Sequence, residues 1–369
     1  MKSTLLQARF GRRLGVVTSA MFLWLITACG GQVAPNGTPY AAYLMITNAG
    51  ASAVEVLATR GRYSDLAPVS RARLVGVLPC GVAEGPDGRL YVADRARARV
   101  LVYERDALVA GGSVVPTASL TSAAMTGACG LAFDGEGALW VADQRGSTVA
   151  TPMANALHRF DDVSGLVGDV DLTPSRTLVL DDDAERVIPS WFVSHLHVDD
   201  AGALWFSDAW RWSVSRLDDP TSFPLGTSEG VVPDLQFDDR DPDDLARSRL
   251  HSPQALARDG NHLFVATAGR PWVVRYDVDA LPSGRHHAPE PDAVITLPLT
   301  IDRSGDGPVA LAFDPTGALW IAANDRYRLL RVPDPAGEPP PRPTIVRSWG
   351  DRGLLFGSAA VFVSAATTP

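Results

Sequence analysis

Lysine is almost missing from this chain. Lys2 is the only one, so every later positive side chain other than histidine is an arginine. Acidic residues outnumber basic ones 42 to 33, a net charge of −9. A nucleic-acid-binding surface needs the opposite balance, so no nucleic-acid partner is expected. Beyond the first 28 residues no stretch is both apolar and long enough to cross a bilayer, which takes about 20 residues. The P-loop, H-E-x-x-H and C-x-x-C patterns are absent, which removes the usual signatures of nucleotide hydrolysis, zinc proteolysis and thiol exchange. Cysteine is scarce, with three in 369 residues. What is plentiful is glycine (33) and proline (28), within a chain that is 46% hydrophobic. That mixture can bury a large core, and it favours many turns and short elements over long helices.

The N-terminus reads as an address. Lys2, Arg9, Arg12 and Arg13 precede a mostly apolar run, Leu14 to Ala28, too short for a comfortable membrane span. The run ends Ile26-Thr27-Ala28-Cys29, which resembles the lipobox of bacterial lipoproteins. The resemblance implies cleavage before Cys29 and acylation of its thiol; an ordinary signal peptide with an incidental cysteine is the alternative. Residues 1–28 are then a leader, and residues 29–39 a lipidated cysteine with a flexible tether. Gly30 and Gly31 follow, with no acidic residue. By resemblance to proteobacterial lipoproteins this implies an outer-membrane rather than an inner-membrane protein, facing the periplasm or the cell surface. Loss of the leader leaves 29 basic against 42 acidic residues. The membrane is expected to hold the protein through the lipid only.

The rest of the chain repeats. Gly81–Asp94 (GVAEGPDGRLYVAD) returns as GLAFDGEGALWVAD (130–143), HLHVDDAGALWFSD (195–208), ALARDGNHLFVAT (255–267) and ALAFDPTGALWIAA (310–323), with a short copy at Leu44–Asn48. The anchoring leucines are Leu44, Leu90, Leu139, Leu204, Leu263 and Leu319, spaced 46 to 65 apart. A period of this length built of strands and Asp/Gly turns signals a propeller. Each unit predicts four strands. Fourth strands are expected at Leu74–Leu78, Val114–Leu120, Arg176–Leu180, Val231–Phe237, Ala293–Leu297 and Thr344–Trp349. The first unit lacks an opening strand, and Ala359–Ser364 is left over at the other end. The expectation is one all-β, six-bladed β-propeller over residues 40–369, closed by the C-terminal strand completing the first blade.

These segments resemble the NHL-repeat and gluconolactonase-like β-propellers. The resemblance implies a ligand site on the axis, at the start of each blade's first strand. That position holds Cys80, Cys129, Ser194, Gln254 and Val309, with Ser358 or a neighbour from the closing strand. The carboxylates that bind metal in the lactonases are missing from it. No metal site and no cofactor are therefore expected, and a divalent metal belongs only to the alternative of a gluconolactonase-like lactonase with an altered centre. Glu84, in an E-G-P sequence, is a further candidate for the channel mouth, against its reading as a solvated hairpin residue. So is His251, in the loop before a first strand. His195 falls one residue late and is expected to point away from the axis, with His197 on the same side.

Cys80 and Cys129 occupy equivalent positions in neighbouring blades, and export favours oxidation. A disulfide between them is expected; the rival is a free thiolate pair binding a soft metal. Asp94, Asp143 and Asp208 recur at the end of the second strand and read as acceptors of backbone N–H groups. Trp140, Trp205 and Trp320 share one repeat position and read as blade-to-blade packing. Trp210, Arg211 and Trp212 fall outside the repeat and form a candidate surface patch for a glycan or protein. Together these features point to a monomeric, membrane-anchored platform binding a protein, glycan or small molecule, with lactone or ester hydrolysis as the alternative.

Overall fold

The computed structural model describes residues 42–59, 66–144, 156–181, 192–239, 248–302, 305–348 and 356–364. The leader, Cys29 and the tether lie outside the described residues. Six sheets, antiparallel through their first four strands, surround a central axis. In blades 2 to 6 the strands run outward in chain order from an innermost strand: Pro79–Glu84, Ala128–Phe133, Val193–Val198, Pro253–Asp259 and Pro308–Phe313. Blade 1 takes its innermost strand, Phe356–Ser364, from the far end of the chain, pairing it with Ala42–Asn48. This is the expected closure, and it leaves no open seam in the ring.

Each second strand begins at one of the anchoring leucines or within two residues of it. The turn before it is built by an aspartate. Asp134, Asp199 and Asp314 each accept two backbone N–H bonds, from the residues two and four positions on, at 2.9–3.1 Å. The other carboxylate oxygen of each accepts the indole N–H of Trp140, Trp205 or Trp320 at 3.2, 2.9 and 2.9 Å. One side chain thus fixes both the turn and the orientation of the largest core residue. Blade 2 has tyrosine there, and Tyr91 donates its hydroxyl to Asp87.

The core is divided into six clusters, one between each pair of neighbouring blades. Trp140, Trp205 and Trp320 fill three of them, between blades 3 and 4, 4 and 5, and 6 and 1. Blade-to-blade packing is thus where the repeat position places them.

Three fourth strands lie where the sequence puts them: Arg176–Leu180 without change, Ala293–Thr296 and Thr344–Ser348 shortened at the end. The other three need correction. The fourth strand of blade 1 is Leu66–Leu74, earlier than expected. Val114–Leu120 and Val231–Phe237 each straddle two elements: Gly112–Val114 and Ala118–Thr121, Gly226–Val231 and Leu235–Asp238. The extra pieces are fifth strands. Gly112–Val114, Gly168–Asp171, Gly226–Val231 and Gly284–His287 each leave their own blade and pair in parallel with the fourth strand of the preceding one. His286 and His287 belong to one of these strands. Gly226-Thr227-Ser228-Glu229-Gly230 has the letters of a G-x-S-x-G elbow, but it is an outer strand and not a strand-to-helix turn.

Candidate functional site: the disulfide mouth of the channel

An innermost strand has a partner on one side only, so its open edge faces the axis. In every blade that strand is interrupted by a β-bulge near its start, between Pro79 and Val82, Ala128 and Leu131, Val193 and His195, Pro253 and Ala255, and Pro308 and Ala310, with a similar shift in the closing strand. A bulge re-aims the side chain it carries. The bulged stretches contain the expected ring: Cys80, Cys129, Ser194, Gln254 and Val309 line one cavity of about 330 Å³ at the mouth of the channel.

Cys80 and Cys129 form a disulfide with Cα atoms 5.0 Å apart. The close approach depends on Gly81, where a Cβ would stand 2.1 Å from the Cys129 carbonyl oxygen. No thiolate pair is left for soft-metal chemistry. A disulfide suggests an extracytoplasmic location. Among the described residues no helix is long and apolar enough to span a membrane, and no three His, Cys, Asp or Glu side chains are grouped to hold a metal ion.

A second ring surrounds the first. It is formed by the residue after each second strand, and Ala49, Arg95, Gln144, Ala268 and Asn324 from it line the same cavity. Sequence reasoning passed over these positions. Their side chains differ in kind, and only their constant place one residue after the repeat's end marks them. The recurrent aspartates hold this ring to the first. Asp94 accepts from Leu78 N–H at 3.1 Å, Asp143 from Thr126 and Gly127, and Asp208 from Phe192 at 2.9 Å. The expected backbone role stands, but the principal partner is the loop entering the innermost strand. Asp208 also caps its own turn, accepting from Trp210 and Arg211 at 2.8 Å.

The three candidates beside that turn separate. Trp210 is 38% exposed and stacks on Phe192 at 5.2 Å, at the rim of the mouth. Arg211 is 2% exposed beside buried Asp208, which removes it from any surface patch. Trp212 is half-buried and packs on His251, with ring centroids 4.0 Å apart. His251 is accordingly not among the residues lining the mouth; burial, and then Arg270, push its pKa down. Glu84 lies at the other end of its strand. It lines a separate opening of about 410 Å³, so Glu84 and Ser194 do not share a site. Burial raises the Glu84 pKa and nearby Arg105 pulls it back.

His195 requires a correction. It lines that second opening together with His197 and Arg258. Alternation along an innermost strand decides which neighbouring blade a side chain meets, not whether it meets the axis. Leu196 packs toward blade 3, while His195 crosses to blade 5, where Nδ1 accepts the Leu256 N–H at 3.4 Å. Burial pushes His195 down to about 3, with nearby His197 adding to the effect, and pushes His197 down to about 4, where Asp199 works against the shift and Arg258 with it. Both rings are therefore neutral at neutral pH, whereas the unfolded chain takes up protons below about 6.5. Stability should fall as pH drops from about 6.5 toward about 4. His195→Asn should flatten that fall in urea midpoints measured between about pH 7 and 4.5; equal slopes for the two proteins would refute it.

No family model and no curated protein matches the sequence. Solved structures do match, and what they share with this chain is the fold. A protein of unknown function from Bacteroides caccae is 11% identical, with a TM-score of 0.52, covering 88% of this chain and 99% of its own. Selenomethionine-substituted virginiamycin B lyase from Staphylococcus aureus is 12% identical, with a TM-score of 0.47 over 80% of each chain. A streptogramin B lyase gives 11%, 0.45, and 80% and 79% coverage.

Proposed function

We propose that the chain is a lipid-anchored extracytoplasmic binding platform that takes a small ligand in the disulfide mouth of its channel. The observation that carries this reading is the double ring. Every blade turns a bulged strand toward the axis, and the two rings together bound one cavity with apolar walls, a few neutral polar groups and a single charged residue, Arg95. That is the usual make-up of a small-molecule site, at the small end of the usual size range. The reading takes the protein as a monomer without a nucleic-acid partner. The NHL and gluconolactonase-like resemblance supports the same placement on the axis. A lactonase of that type would need several oxygen ligands around a hard cation. Ser194 and Gln254 are a poor set, and Glu84 is at the other opening.

Filling the mouth tests the reading. Val309→Trp puts an indole into the cavity, and ligand-observed NMR with a library of neutral and charged fragments compares it with the natural chain. Fragments that bind the natural protein should lose binding to the variant. Equal binding to both would place the site elsewhere. The anchor is tested separately. Cys29→Ser should move the protein from the membrane to the soluble fraction, and a variant that stays with the membrane would speak against the lipid.

A further inference from the structure

Several of the buried or half-buried arginines in this acidic chain are matched to carboxylates. Arg89 pairs with Asp87, Arg159 with Asp134, Arg258 with Asp199 and Arg275 with Asp292. Arg95 is different. It follows Asp94 directly, yet Asp94 is taken by Arg97 and Arg99, at 3.6 and 3.0 Å. The Arg95 guanidinium makes no hydrogen bond or ion pair among the described residues. It lies 4.9 Å from the centre of the Phe192 ring, which in turn stacks on Trp210. It is half-buried at the mouth, and burial alone pushes its pKa down. Packing on Phe192 does not in itself call for a guanidinium, whose planar fork of N–H donors matches an oxyanion.

The cavity it lines contains no carboxylate. Gln144, Ser194, Gln254 and Asn324 supply neutral polar groups, and Leu78, Val309 and the disulfide supply apolar wall. Gln144 is itself 2% exposed. Its Nε2 donates to the Val193 carbonyl at 2.6 Å, while its Oε1 has no partner. One cation, set in a wall that is otherwise apolar or neutral, suits a singly charged anion; the Gln144 acceptor has nothing to offer a carboxylate and plays no part in the assignment. A phosphate carries more charge and is commonly gathered by several donors or a helix N-terminus.

We propose that the mouth binds a small monocarboxylate with an apolar body, its carboxylate paired to Arg95 and its body against Leu78, Val309 and the disulfide. This rests on the reading of the disulfide mouth as the ligand site. Phe192 and Trp210 hold the guanidinium in place, so the fork is ordered before the ligand arrives.

The test uses the full chain and two probes of one shape, 4-phenylbutyrate and the neutral 4-phenylbutanamide, by calorimetric titration. The acid should bind about tenfold or more tightly than the amide. In Arg95→Gln the acid should fall to the level of the amide, with the amide unchanged. Val309→Trp should abolish both. Arg95 has no structural ion pair to lose, and thermal melts confirm that each variant is folded. Equal binding of acid and amide, both lost in Val309→Trp, would overturn the carboxylate assignment and leave the mouth as the site. A preference for the acid that survives Arg95→Gln would overturn it too. So would the failure of the acid, and of straight-chain acids from butyrate to decanoate, to bind at about 1 mM. If neutral fragments still bind the mouth, that failure touches only the carboxylate, and the platform reading stands.

Discussion

Trp205→Ala should cost about 3–5 kcal/mol of stability, the loss usual for a large aromatic removed from a packed core. The indole is fully buried between blades 4 and 5. Its N–H is the partner of Asp199, the aspartate that also builds the hairpin turn. Arg216 and Arg258 lie over the ring, 5.1 and 5.7 Å from its centre. Truncation therefore opens a cavity, removes a hydrogen bond to a charged acceptor and strips the surface on which two guanidinium groups rest. Trp205→Phe should fall between the two, since it keeps most of the buried area and loses the hydrogen bond, a difference of about 1.5–3 kcal/mol. Trp210→Ala should cost far less, because that ring is partly in solvent. Urea midpoints for the three variants would settle the order. A loss for Trp205→Ala under about 1 kcal/mol would mean that the blades close over the gap.

Removing the Cys80–Cys129 bridge should cost about 2–4 kcal/mol, from a closed loop of 49 residues. The bond joins the innermost strands of blades 2 and 3 at one mouth of the channel, so reduction frees two blades that pack directly on each other. Cys80→Ala/Cys129→Ala should lower the thermal midpoint and should no longer respond to reductant, whereas the natural protein should. Alkylation of the unreduced protein should leave both cysteines unmodified. If reductant does not shift the natural protein's midpoint, the bridge does not restrain the unfolded chain.

The architecture was legible because its signal repeats. The leucine anchors, the aspartate turn and Trp140, Trp205 and Trp320 recur at fixed offsets, and the unmatched first unit and the spare C-terminal strand implied closure. The fifth strands were not legible. Gly168-Asp169-Val170-Asp171 and Gly284-Arg285-His286-His287 are polar, without an alternating apolar face. They become strands through the backbone edge of the preceding blade, which local sequence does not reveal. The same limit applies to the site. The first ring was found from the repeat, but Arg95 and Gln144 share no chemistry that would draw attention to one place after the second strand. His195 was misread because alternation was taken to choose between axis and core. In an innermost strand it chooses between two neighbours.

Blades 2, 3, 4 and 5 each extend a strand to the blade before them, and the two chain ends share blade 1. No blade of the first four is therefore built from one continuous segment. A cut between the fourth strand of one blade and the first of the next would separate the earlier sheet from its outer edge. Excision of residues 128–180, for example, takes the outer strand Gly168–Asp171 away from blade 2 and leaves Gly226–Val231 behind without its partner Arg176–Leu180, so these blades are linked by the path of the chain as well as by packing.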